Sequence, residues 1–126
     1  MKYKSCWLVD DDRVNRFSIK KLLKKANVCS NIKEFTNGFE AMNKLMLLQN
    51  GPVNVLPDLI ILDLNMPVWD GWEFIEYLRE LNIRKSFKLV ILTASVKKDD
   101  ENKATASSLV ETFLVKPLDI EKVSAL

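Results

Sequence analysis

Four aliphatic residues stand in unbroken succession at Leu59-Ile60-Ile61-Leu62, with Asp58 before them and Asp63 after. Side chains of a strand alternate between its two faces, so a strand that is apolar at every position is covered on both. That arrangement belongs to a parallel sheet between two layers of helices. Residues 58–62 read as the third of five short strands; the others are 5–9, 32–35, 87–92 and 112–115. Helical period fills the gaps. Residues 14–26 place Ile19, Leu22, Leu23 and Ala26 on one face, and 39–48 run to a stop at Asn50-Gly51-Pro52. Residues 70–81 open with Asp70 as N-cap and turn Phe74, Ile75, Leu78 and Leu81 inward. Residues 99–108 give a weakly held helix with only Ala104 and Ala106 to bury, and a last helix from Asp119 stops after two turns. Strand and helix alternating five times predict an α/β doubly wound (βα)5 fold with a five-stranded parallel sheet and helices on both faces.

The 126 residues suit a single domain over 1–126, since domains run to roughly 100–200 residues. A chain of this size buries enough surface to fold without disulfide or metal staples. It has no histidine, which excludes histidine-based nucleophile relays and histidine zinc sites. Cys6 and Cys29 are too few for a disulfide framework or a cysteine zinc cluster and are expected reduced. Nineteen basic residues against seventeen acidic ones give neither a nucleic-acid binder's surplus nor an acidic tail. Apolar runs such as 45–48 and 59–62 are four residues long, where a membrane span needs about 20, and no signal-peptide core follows Met1. A cytoplasmic location is the expectation.

In an open parallel sheet the chemistry lies beyond the carboxyl ends of the strands, at the point where strand order reverses. Here the first strand runs into Asp10-Asp11-Asp12, the third into Asp63, the fourth into Thr93 and the fifth into Lys116. The second ends blandly at Thr36-Asn37-Gly38. At ~4 Å and an effective dielectric near 20, each carboxylate pair in such a cluster costs about 4 kcal/mol. The cluster therefore calls for a cation, and its oxygen donors suit Mg2+. Lys116 adds positive charge and Thr93 a hydroxyl donor, so the set fits a phosphoryl group. Attack by Asp63 on phosphorus would give an aspartyl phosphate.

The segments LVDDD at 8–12, PDLIILDLNMPVWDG at 57–71, LTAS at 92–95 and FLVKP at 113–117 resemble, in order, those of a response-regulator receiver domain of the CheY-like kind. The resemblance covers essentially the whole chain. It implies a flavodoxin-like sheet in the order 2-1-3-4-5. It implies Asp63 as phosphoacceptor, with Mg2+ (Mn2+ as a substitute) bound by Asp11 directly, by Asp10 largely through water, by Asp63 and by the backbone carbonyl of Asn65. Thr93 would hydrogen-bond the phosphoryl group and Lys116 would pair with it, next to a cis peptide bond to Pro117. Phe113 matches the aromatic that moves with Thr93. Asn65 and Ser95 stand at the positions that help set phosphoryl lifetime. A sensor histidine kinase or histidine phosphotransfer protein would be the donor, with output through the fourth helix, fifth strand and fifth helix. Such a protein assists its own phosphorylation and dephosphorylation and turns over no separate metabolite.

Blander readings stand beside these. Asp12 reads as a helix N-cap, and Phe113 reads equally as core. The basic stripe Arg13, Arg16, Lys20 and Lys24, with Lys21 and Lys25 beside it, reads as a solvated face or as a docking surface for an acidic partner. It lacks the aromatic interleaving of a nucleic-acid surface. Gly71 is expected to relax the loop between Trp69 and Trp72, and both tryptophans to pack over the third helix. The stretch 49–56 is long for a receiver, and the fifth helix short. The absence of a following output domain fits either a stand-alone regulator or a module of a larger one. A haloacid-dehalogenase-type hydrolase would carry its nucleophile on the first strand and an aspartate where Asn65 stands. A flavin-binding flavodoxin-like protein would not put three carboxylates in its phosphate loop. A receiver fold acting as a phosphorylation-independent adaptor is the remaining alternative.

Overall fold

In the computed structural model, which describes residues 1–83, 85–94 and 97–126, five parallel strands pair in the order β2-β1-β3-β4-β5. They are β1 (Cys6–Val9), β2 (Ile32–Phe35), β3 (Leu59–Leu62), β4 (Lys88–Thr93) and β5 (Thr112–Val115). Between and after them run α1 (Arg13–Lys25), α2 (Gly38–Leu48), α3 (Gly71–Glu80), α4 (Lys98–Ala106) and α5 (Ile120–Ser124). The fold expected from the sequence is the one observed. Ser95 lies outside the described residues.

The sheet divides two separate cores, and strand alternation assigns residues to them. Trp7, Val9, Ile60, Leu62, Leu89 and Ile91 face one core, which α2 and α3 fill with Ala41, Met42, Leu45, Phe74, Ile75 and Leu78. Cys6, Leu8, Leu59, Ile61, Val90 and Leu92 face the other, closed by Ile19 and Leu23 of α1 and Val123 of α5. This is why the 59–62 run is apolar throughout: all four residues are at most 1% exposed. Trp7 sits against Phe35 with ring centroids 4.7 Å apart, and its buried indole N–H has no hydrogen-bond partner among the described residues. Both cysteines are free and buried.

Caps set the helix limits. Asp12 accepts from the N–H groups of Val14 and Asn15 and starts α1. Asp70 and Glu73 form a reciprocal capping box on α3, and Asp119 caps the single turn and a half of α5, shorter than the two turns expected. The long stretch 49–56 contains a 3-10 turn at Val53–Val55 that the period of the sequence does not reveal.

α4 matches its thin composition. The Lys97 side chain does not cap it, Ala104 is its buried residue among those described, and its first turn carries Asp99, Asp100 and Glu101, which favour the positive helix end. Its ties to α3 include the Trp72 indole N–H donated to Asp100 at 3.0 Å and Lys103 over the Trp72 ring at 5.4 Å. Amides of α4 are expected to exchange with solvent well before those of β3 in native-state hydrogen exchange; equal protection would show that α4 opens only with the whole fold.

Asp58, one residue before β3, fastens the opposite edge of the sheet. It accepts from the N–H groups of Lys4 (3.1 Å) and Ser5 (3.0 Å) and pairs with Lys85 at 2.8 Å. Burial alone would raise its pKa, but Lys85 and the two N–H groups outweigh that and hold it below the usual carboxylate range. A carboxylate with a depressed folded pKa stabilises fully above its unfolded value and loses that contribution as pH falls through the folded one. Asp58→Asn should therefore cost about 1–2 kcal/mol at neutral pH. In urea titrations the gap from wild type should close as the pH drops below about 4. A gap independent of pH would overturn this account.

Candidate functional site

The register brings the strand ends together. Val9 is level with Leu62 across β1 and β3, so the residues that follow, Asp10 and Asp63, emerge side by side. The Asp63 N–H donates to the Val9 carbonyl at 2.9 Å. β1 runs on to β2 at one side and the chain returns to β3 at the other, so the two aspartates flank the point where strand order reverses. Thr93 closes β4 level with Val115, and the Lys116 N–H donates to the Thr93 carbonyl at 2.8 Å. Thr93 thus belongs to the strand rather than following it. Four of the sequence-derived candidates meet here: Asp10 (1% exposed), Asp63 (6%), Thr93 (0%) and Lys116.

The Lys116 ammonium donates to Asp10 Oδ2 at 2.9 Å and to Asp63 Oδ2 at 3.4 Å. Burial pushes the Asp63 carboxyl up, the neighbouring charge of Asp10 adds to this, and Lys116 offsets it only in part. Burial would lower the Lys116 ammonium, but its hydrogen bond to Asp10 and the charges of Asp63 and Asp10 push it up instead. Asp11 is exposed at the rim, and one carboxylate oxygen from each of Asp10, Asp11 and Asp63 lies within 4.8 Å of the others. An all-oxygen donor set open on the Asp11 side fits a hard divalent cation that keeps part of its water shell. Asn65 is exposed; its N–H donates to Asp63 Oδ1 at 3.4 Å and its side-chain amide reaches the Thr93 hydroxyl at 3.5 Å. The Lys116–Pro117 peptide is cis. Phe113 is half-buried and packs against the α2–α3 core, in keeping with its reading as a core residue.

The profile of the response regulator receiver domain matches residues 6–126. The chain belongs to that family. The receiver is 33% identical over 109 residues to the sensor histidine kinase CheAY of Helicobacter pylori, a match covering 86% of this chain and 13% of the kinase. The chain therefore spans a small part of that relative. Among solved structures, a two-component response regulator from Cytophaga hutchinsonii superposes with a TM-score of 0.88 at 28% identity, covering 99% of this chain and 94% of that one. The phosphorylated cyanobacterial phytochrome response regulator RcpA superposes with a TM-score of 0.77 at 27% identity, covering 98% and 87%.

Three features of this receiver's site were not legible as such in its sequence. Gly71 does not relax the loop by a left-handed conformation: no glycine has positive φ. It makes room instead, since a Cβ there would stand 2.5 Å from the Asp63 carbonyl oxygen and 3.0 Å from the Leu64 Cα. The left-handed residue of the loop after β3 is Val68, at φ 69° and 71% exposed; the other non-glycine residue with positive φ is Asn27. A β-branched residue gains nothing in that conformation and no burial offsets it, so Val68→Asn should stabilise the domain by about 1 kcal/mol. Equal or lower stability in denaturant titrations would show that the loop does not hold this backbone.

The basic stripe also divides. Arg16 and Lys20 are bound to Glu34 of β2, at 3.1 and 2.9 Å. Arg13, Lys21, Lys24 and Lys25 remain exposed, beside the uncovered apolar side chains of Val14 and Phe17. Trp69 stacks on Tyr77 at 4.3 Å and meets the edge of Phe39 at 5.3 Å, so it packs over α3 as expected. Among the described residues no helix is long and apolar enough to cross a membrane.

Proposed function

We propose that this receiver is a phosphorylation-dependent signalling switch with Asp63 as its phosphoacceptor. The observation that carries this is the Asp63 carboxylate at the end of β3, nearly closed off from water, with Asp10 and the Lys116 ammonium at its oxygens. Asp63 Oδ attacks phosphorus; the Oδ–P bond forms as the bond from phosphorus to the donor's histidine nitrogen or acyl oxygen breaks. Lys116 holds one phosphoryl oxygen, and the Thr93 hydroxyl donates to another. Asp10, Asp11, Asp63 and the Asn65 backbone carbonyl would hold Mg2+, which supplies charge neutralisation for the incoming phosphoryl group. The likeness to phosphorylated RcpA supports the reading. The receiver contributes these groups to its own phosphorylation and turns over no separate metabolite.

Receiver domains work with histidine kinases or phosphotransfer proteins, and for this one α1 is the docking element we favour. Its exposed basic residues surround two uncovered apolar side chains, Val14 and Phe17, a mixture that suits an acidic-rimmed partner helix. Output runs through Thr93 and Phe113 to α4, β5 and α5.

Intact-mass analysis after incubation with acetyl phosphate tests the core of this. One added phosphoryl group, dependent on Mg2+, is expected. A folded protein that takes up none from acetyl phosphate or from a phosphorylated phosphotransfer protein would instead be an adaptor with a receiver fold.

A further inference from the structure

Arg16 does more than face solvent. It is on the first turn of α1, and its side chain is only 12% exposed. Nη1 donates to the backbone carbonyl of Asp10 at 2.7 Å, while Nε donates to Glu34 Oε1 at 3.1 Å. Glu34 in turn takes the Lys20 ammonium at 2.9 Å, and both cations hold its carboxyl below the usual range, the Lys20 hydrogen bond most, against a smaller opposing effect of burial. One guanidinium therefore joins three elements: the end of β1, α1 and the middle of β2. The acidic turn is tied to α1 a second time through Asp12, whose side chain caps the helix while its N–H donates to Asp10 Oδ1 at 2.8 Å.

We propose that Arg16 is a positioning residue for the cation pocket: by clamping the Asp10 carbonyl against the Glu34 anchor it fixes the turn that aims the Asp10 and Asp11 carboxylates. This rests on the reading of the acidic cluster as a Mg2+ site. A planar fork with two separated donors can bridge a carbonyl and a carboxylate at once, which a lysine ammonium of similar reach does less well. The sign of the effect separates this role from a purely electrostatic one. As a bare positive charge near the pocket, Arg16 would repel Mg2+, and its loss would tighten binding. As a clamp, its loss loosens the turn and weakens binding.

The test titrates Mg2+ into wild type, Arg16→Lys, Arg16→Gln and Lys20→Gln, following the amide chemical shifts of residues 10–12, with thermal unfolding in EDTA run in parallel. Both Arg16 variants should bind Mg2+ roughly tenfold more weakly, as loss of a partner behind a metal ligand typically does. Lys20→Gln, which loses an exposed partner of Glu34 but keeps the carbonyl clamp, should stay within about twofold of wild type. Tighter binding by Arg16→Gln overturns the proposal in favour of the charge effect. Unchanged Mg2+ affinity of the folded Arg16 variants overturns it too, and leaves Arg16 a fold-stabilising residue if their melting temperatures fall in EDTA. Absence of any Mg2+ response in wild type removes the cation site itself, an outcome distinct from either.

Discussion

Asp63→Asn should accept no phosphoryl group from acetyl phosphate and Mg2+ under conditions that label wild type, and should be no less stable than wild type without metal. The first half follows from chemistry: a carboxamide oxygen is a poor nucleophile, and Asp10 next to it carries the Lys116 hydrogen bond that holds it elsewhere. The second half follows from the electrostatics of the pocket. Burial and the charge of Asp10 push the Asp63 pKa up. A group whose folded pKa is raised contributes its stability below the unfolded value and loses it as pH rises through the folded value. In its ionised form Asp63 is thus a burden on the fold, which a neutral side chain of the same shape removes. Lys116 keeps Asp10 as a partner at 2.9 Å in the variant. Intact mass and urea titration in EDTA read the two halves separately. Labelling that persists in Asp63→Asn would move the acceptor to another carboxylate, with Asp10 the nearest; marked destabilisation would mean that the Lys116 pair outweighs the burial.

Lys116→Ala should be the more damaging change to the metal-free fold. It leaves Asp10 and Asp63, both almost wholly buried, facing one another without a cation. Breaking a buried pair from one side costs on the order of 3–5 kcal/mol. One carboxyl is expected to take up a proton to relieve the repulsion, so the loss should shrink in acid. Saturating Mg2+ should return a substantial part of the stability, since a ligand bound only by the folded state stabilises it in proportion to the logarithm of its concentration over Kd. Phosphorylation of Asp63 should remain possible, while the rise in partner affinity that follows phosphorylation should be lost. Urea titrations with EDTA and with Mg2+, together with a binding assay on the phosphorylated variant, test each step. A metal-free stability equal to wild type would show that the two carboxylates are not coupled through Lys116. Partner affinity that still rises on phosphorylation would detach Lys116 from the switch.

The alternation of strands and helices, and the placing of Asp10, Asp63, Thr93 and Lys116 at strand ends, were legible in the chain because each rests on local pattern; the sheet order followed from the resemblance to receivers. An apolar run ending in a polar group marks a strand end, and the doubly wound order places those ends at one edge. What the pattern did not show depends on contacts between distant segments. Arg16 and Lys20 read as part of a solvated stripe, because nothing in the spacing of α1 shows that Glu34 stands across from them on β2. The close approach of Gly71 to the Asp63 carbonyl depends on how the loop folds back over the end of β3. The strained residue is Val68, three positions before the glycine the sequence pointed to, and a valine carries no signal for left-handed backbone. The 3-10 turn at Val53–Val55 is too short to have a period.

The stretch 49–56 joins α2 to β3 and therefore lies at the amino-terminal edge of the sheet, the edge away from Asp63. Its exposed residues Val53 and Asn54 line an open cleft with Lys2, Lys4 and Lys85 instead of touching the acidic pocket. Lengthening a surface loop costs little, because closure entropy grows only with the logarithm of its length. Asn54 is accordingly the place to graft a fluorophore, an affinity handle or a surface-immobilisation linker. A receiver tethered there would present α1, the pocket and the α4–β5–α5 face unobstructed to whatever is flowed across it, so this chain could serve as bait for finding its own partners.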